Sequence, residues 1–293
     1  MLTLLRGVGD ALAHARLDLV AVALALHVTG LVISGERWRL VIAALGHRLP
    51  LTRTILINLA GIFVRNVTPT TGLGGDASRI LLLRGEGVPL DRGTASFAYV
   101  RLAEMPAIVL LVTSATPAMT ALARRSNTAF TIAVALIAVA AIAAWLFRDR
   151  VRARIDGLVD QTRHLRIGRR ALAGAVCYAT LTQIETVARQ IVVAAACGMR
   201  LTVQQSATVV ALSIVGGLVP TVGSIGTIDG SMVAGLMLFG ADAHTAVAIT
   251  LIERLISYGV STAAGAAALA YLGGRGILRA AGAMDSRRVA EES

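Results

Sequence analysis

The residues of this chain whose types and spacing could do chemistry come in matched sets. Asp76 is followed 25 residues later by Arg101, and Asp229 is followed 25 residues later by Arg254. Each aspartate closes a Pro/Gly stretch, TPTTGLGGDASR at 68–79 and VPTVGSIGTIDG at 219–230, in which Pro69, Gly72 and Gly75 are matched by Pro220, Gly223 and Gly226. Upstream, Arg37, Gly46, Arg48 and Leu49 recur 152 positions on as Arg189, Gly198, Arg200 and Leu201. One long internal duplication accounts for these matches. Arg79, Glu104, Glu185 and Glu253 add further charges in apolar surroundings, and Arg65 and Asn66 close the run before the first break.

Such a set can hold an anion, carry a proton, or neutralise itself so that polar helices pack. Arg101 and Glu104 are i,i+3 neighbours, and Glu185 with Arg189 has the favoured Glu-before-Arg i,i+4 order. Taken singly, each charge reads slightly better as half of a neutralising pair. Carboxylate and arginine kept at one spacing in both copies point instead to a shared substrate-binding or gating site. Arg65 and Asn66 fit the capping of helix carbonyls as well as they fit phosphate.

All 28 basic residues are arginine, which excludes lysine Schiff-base chemistry and leaves planar, bidentate recognition of phosphate. Coding bias explains that usage equally well. His27, in an apolar run, reads as a buried, hydrogen-bonded histidine; no histidine, cysteine or carboxylate cluster has metal-ligand spacing, so no metal and no cofactor is expected. Cys177 and Cys197 lie too far apart on one helix to pair. No G-x-S-x-G or phosphate-loop motif supports a hydrolase or a nucleotide-driven machine.

The elements that must position these residues are membrane helices. At 56% hydrophobic and a mean hydropathy of +0.73, the chain is too apolar for a soluble domain of 293 residues. The fold class expected is all-α: a polytopic helical membrane protein of about 7–8 transmembrane helices in two internal repeats, each with a Gly/Pro-broken or re-entrant segment. Passes are expected at 19–45, 51–67, 93–117, 128–147, 171–197, 203–219 and 242–272, the last kinked near Ser257–Gly259. The charge of +11 lies mainly between apolar runs, as in loops facing anionic headgroups, so nucleic acid is not an expected partner. Residues 1–18 read as a cytoplasmic lead-in, 19–147 as the first repeat with a linking helix, 148–170 as a basic cytoplasmic loop, 171–272 as the second repeat, and 273–293 as a polar tail. The loop carries eight arginines against three aspartates, which places it and the N-terminus in the cytoplasm. The side of the C-terminus stays open.

Unwound backbone at membrane depth is tolerated only inside protein or beside a wet cavity. Two such breaks at corresponding points of two halves point to a transport site, while tight surface turns are the plainer reading. The run RWRLVIAALG at 37–46, NVTPTTGLGGDASR at 66–79, a later arginine in an apolar helix and a second P-x-x-G-x-x-G-x-x-D resemble the lysylphosphatidylglycerol synthase transmembrane-region family over roughly residues 19–272. The resemblance implies that Arg37, Asn66, Pro69, Gly75, Asp76 and Arg79, with Pro220, Gly223, Gly226, Asp229 and Arg254, are family positions. Asp229 stands where that family more often has glutamate. At 293 residues the chain is expected to lack the soluble aminoacyl-transferase domain, so the resemblance implies lipid translocation or headgroup binding, not lipid synthesis, and no enzyme activity.

The function expected is a flippase-like translocator in a bacterial-type plasma (inner) membrane, moving a phospholipid or lipid-linked headgroup through a polar cavity between the repeats. Its expected partners are membrane lipids with an anionic phosphate headgroup, and a second copy of the chain or a separate lipid-modifying enzyme. Asp76, Asp229 and Glu253 are candidate proton carriers. The competing expectation is a lipid-binding accessory subunit that presents a lipid without moving it; an intramembrane transferase fits less well, because no nucleophile–base set is evident.

Overall fold

The computed structural model describes residues 2–68, 73–125, 165, 167–217 and 226–273. Among these residues the chain is helical and contains no strand. The helices are α1 (Leu2–Ala13), α2 (Leu17–Ala44), α3 (Leu51–Val67), α4 (Leu73–Gly85), α5 (Leu90–Arg125), α6 (Arg169–Ala196), α7 (Val203–Gly216), α8 (Thr227–Leu238) and α9 (Ala243–Gly273), whose residues Leu255–Val260 wind as π-helix. The expected pass at 128–147, most of the basic loop and the tail lie outside the described residues. So do Pro69, Gly72, Pro220 and Gly223.

Leu17–Ala44, Leu90–Ala121 and Ala243–Gly273 are long and apolar enough to cross a membrane. At 1.5 Å per residue, the 28 residues of α2 span about 42 Å, more than a hydrocarbon core of about 30 Å. Val22, Leu24, Val28 and Val32 of α2 and Met105, Val109, Leu110 and Val112 of α5 stand exposed on the outside, a surface suited to lipid rather than water. Pro106 and Pro117 sit within α5 without ending it.

The helix boundaries repeat the spacing of the motifs. α2 and α6 are both 28 residues long and start 152 positions apart, and α3 and α7 start at the same offset. α5 and α9 start 153 apart, at Leu90 and Ala243. α2, α4, α6 and α8 each end in the same device: Gly46, Gly87, Gly198 and Gly240 take φ between +79° and +95°. The next residue donates its N–H back across the last turn, His47 to Ile42, Val88 to Leu83, Met199 to Ala194 and Ala241 to Leu236. This is the Schellman closure, which satisfies helix-end carbonyls and requires a left-handed residue.

α2 packs along α6 in the most extensive helix contact of the chain, α3 packs on α4, and α7 packs on α8. The two long helices cross over. α5 places Leu111 and Ala115 against Val187 of α6 and Ala207 and Val210 of α7. α9 places Ala268 and Leu272 against Trp38 and Ile42 of α2 and Ile57 and Ala60 of α3. The packing is reciprocal: α5 reaches α6 and α7, and α9 reaches α2 and α3. α1 lies on α9.

Candidate functional site

A cavity of about 230 Å³ opens between α2 and α6 and is walled elsewhere by α3, α4 and α5. Arg37, Ser34 and Trp38 of α2 line it with Asn58 and Arg65 of α3, Arg79 of α4, and Phe97, Arg101 and Glu104 of α5. From α6 come Thr182, Glu185, Thr186 and Arg189. Helical spacing explains the grouping: Ser34 precedes Arg37 and Thr186 precedes Arg189 by three residues, so each pair shares one face. Two glycines make the room. A Cβ at Gly30 would lie 2.6 Å from Glu185 Oε2, and one at Gly61 would strike the Arg79 side chain.

The first-half charges form one chain of contacts. Arg37 Nη2 donates to Glu104 Oε1 at 2.8 Å, and Arg101 Nη1 donates to Glu104 Oε2 at 2.9 Å. Arg101 also stands 3.6 Å from Asp76, whose other oxygen accepts from Arg79 at 2.8 Å. Three guanidinium groups thus share two carboxylates. Arg65 reaches the cavity as well, with no ion-pair partner among the described residues. The Nε atoms of Arg37 and Arg79 are buried without a hydrogen-bond partner, although both residues are more than nine-tenths buried.

The second-half charges balance the other way. Arg189 Nε donates to Glu185 Oε1 at 2.9 Å and Arg189 Nη1 to Glu253 Oε1 at 2.5 Å, so one guanidinium serves two carboxylates. The charge around the cavity is therefore polarised, positive towards α3, α4 and α5 and negative towards α6, behind which stands Glu253 of α9. His27 lines the same space and makes a hydrogen bond to Ser261 Oγ at 2.8 Å, as a buried, satisfied histidine.

Of the charged and polar positions singled out from sequence, Arg37, Arg65, Arg79, Arg101, Glu104, Glu185 and Arg189 line the cavity. Asp76 and Glu253 stand one layer behind, each holding a lining arginine. Asn66, Asp229 and Arg254 lie off the cavity wall. Asn66 neither caps its helix nor faces the cavity. Its Nδ2 donates to Thr262 Oγ1 at 2.8 Å and its carbonyl accepts from Tyr258 at 2.8 Å, tying α3 to α9. Arg254 bonds Asp229, with Nη2 at 3.2 Å, and stacks on Tyr258, as Arg101 stacks on Phe97. Gly226, at φ +89°, donates its N–H to Asp229 at 2.9 Å as α8 begins, and Gly75 packs against the Gly61 carbonyl where α4 meets α3.

Ser34, Asn58, Thr182, Thr186, Gly30 and Gly61 escape a reading that looks for charge. Stepping three and seven residues back along the helix from Arg37 and Arg189 finds Ser34, Gly30, Thr186 and Thr182. Asn58 and Gly61 emerge only from the way α3 packs. Among the described residues no cluster of histidine, cysteine, aspartate or glutamate could hold a metal ion.

No curated protein matches the chain at a significant level. A family model described as the lysylphosphatidylglycerol synthase TM region matches residues 1–265, which takes in both Pro/Gly stretches and every residue of the cavity wall. The chain therefore belongs to the lysylphosphatidylglycerol synthase transmembrane-region family, membrane proteins with a lipid-related role.

Proposed function

We propose that this protein is a translocator, not an enzyme, which passes a lipid with an anionic phosphate headgroup between leaflets through the α2/α6 cavity. The observation that carries this reading is the cavity wall itself: five arginines stand against two glutamates, and the Nε donors of Arg37 and Arg79 are buried with their bonds unmade. Unmade charged donors are costly inside protein, and an entering phosphate would satisfy them. The space is worth roughly seven or eight waters at about 30 Å³ each, enough for a headgroup while acyl chains stay in lipid.

The movement follows from the architecture we infer, two repeats related by a two-fold exchange. Matching helix starts, matching Schellman glycines and the reciprocal packing of α5 and α9 support it. α4 and α8, with 13 and 12 residues, reach only about 20 Å, short of a span, and each packs on the helix before it. We read α4 and α8 as the re-entrant or broken segments that follow the spans α3 and α7 in a bacterial-type inner membrane, with 7–8 spans in all and the N-terminus in the cytoplasm. Residues 19–147 and 171–272 are then the two repeats, joined by the basic loop. Rocking of one against the other would open the cavity to each leaflet in turn.

Alternating exposure is tested by thiol labelling. In a background with Cys177→Ser and Cys197→Ser, Thr182→Cys is placed in the cavity and challenged with a membrane-impermeant reagent from each face. Labelling from both faces, with protection by added anionic lipid, is expected. Labelling from one face alone contradicts translocation and favours a subunit that presents a lipid without moving it.

A further inference from the structure

We propose that Glu185 and Glu253, held against the single guanidinium of Arg189, form a proton-binding site coupled to the anion cavity. The coupling rests on the reading of the cavity as a phosphate site; the proton site itself does not. The trio is buried, at 8%, 4% and 5% exposure for Glu185, Glu253 and Arg189. With both carboxylates ionised it carries a net charge of −1 away from water. Oε2 of Glu253 is buried and has no hydrogen-bond partner. A buried ionised oxygen with no donor is the state a carboxyl group avoids by taking up a proton.

Among the described residues, no cation other than Arg189 is paired with either carboxylate. α8 brings Asp229, already held by Arg254, and α2 brings His27, bonded to Ser261. α1 brings Asp10 and His14, both exposed, against the start of α9, where Gly7 meets His244. Within reach of Glu253 the charged groups are Arg189 and Glu185. One proton on the pair forms an O–H bond, moves no electrons and makes the trio neutral.

Arg189 connects this site to the cavity, because it and Glu185 also line the cavity wall. A phosphate that draws on Arg189 weakens its hold on both carboxylates, and a buried carboxylate that loses its counter-cation binds a proton more tightly. The relation is reciprocal, so a proton on the pair must equally strengthen anion binding. Proton and monoanionic phosphodiester then enter together and the loaded cavity gains no net charge.

The test uses the full chain in nanodiscs and dihexanoyl phosphatidylglycerol as probe, with affinity followed from about pH 6 to about pH 8. One linked proton predicts that wild-type affinity falls as pH rises, approaching about tenfold per pH unit above the titration of the pair. Glu253→Gln, which imitates the protonated group, should bind as wild type does at low pH and show no slope; Glu185→Gln should also lose the slope, because the proton belongs to the pair. Wild-type binding that is flat with pH, or a slope kept in Glu253→Gln, overturns the proposal. If the probe does not bind at all, the cavity reading fails, and infrared spectroscopy decides the proton site alone. A carboxylic-acid carbonyl band that titrates in wild type and is absent from Glu253→Gln upholds it; a wild-type spectrum without such a band overturns it.

Discussion

Glu104 accepts from Arg37 and Arg101 with its two oxygens, at 2.8 and 2.9 Å, so its loss strands two guanidinium groups at once. Removing one partner of a buried ion pair is far more damaging than never having had the pair. Glu104→Gln should lower stability by about 2 kcal/mol, read as a drop in unfolding midpoint, the figure being held down by the partial exposure of Glu104 and Arg101. Arg16→Ala, which breaks the solvent-exposed pair with Asp18, should leave the midpoint unchanged. An equal, small response to both substitutions would contradict a buried charge network. The pairs Asp76–Arg101 and Asp229–Arg254 were legible in the sequence because one spacing occurs twice. The pairing of Arg37 with Glu104 was not, since it joins residues 67 apart through the packing of α2 on α5 and has no copy: the position equivalent to Glu104 is Ser257, and the second-half glutamate sits instead at Glu253.

At the scale of the element, the four Schellman ends set where each helix stops and so which residues face the cavity. Gly240→Ala forces a Cβ into the left-handed region and should cost about 1 kcal/mol, while Gly85→Ala, in helical geometry with open space around its Cα, should cost nothing or stabilise slightly. Comparing the unfolding midpoints of the two variants in detergent checks this; equal losses would mean that the positive φ at Gly240 is not what holds the turn. The sequence marked the Pro/Gly breaks and placed α2, α3, α5, α6, α7 and α9 from apolar runs alone. It did not show α4 as a helix, because Leu73–Gly85 mixes glycines and arginines with its leucines and owes its helical form to packing on α3. The irregularity expected near Ser257–Gly259 takes the form of π-helix over Leu255–Val260. There Tyr258 reaches Asn66 and, just beyond, Ser261 reaches His27, contacts between halves that no local pattern announces.

For the whole molecule, helices whose starts recur at offsets of 152 to 154 residues are packed so that α2–α6 line a cavity with unequal charge on its sides. The first half has an excess of arginine and the second an excess of glutamate around Arg189. The matched spacings were legible in the sequence; the polarity of the cavity was not, because it depends on which carboxylates the fold brings to each arginine. Sequence composition placed the chain in the membrane, and the family match agrees with a lipid-related role. The central claim is movement of lipid, and the most direct measurement is leaflet exchange in reconstituted liposomes. Fluorescent phospholipids with different headgroups are incorporated, the outer leaflet is quenched, and the protected fraction is followed for wild type, Arg37→Met and Arg79→Met. A charged hydrogen bond is worth about 1.5–3 kcal/mol, so each variant that remains folded should slow exchange by about tenfold to a hundredfold. Rapid wild-type exchange of an anionic phospholipid, with that loss in both variants, is the predicted result. Wild-type liposomes that keep every headgroup in its original leaflet would contradict the account.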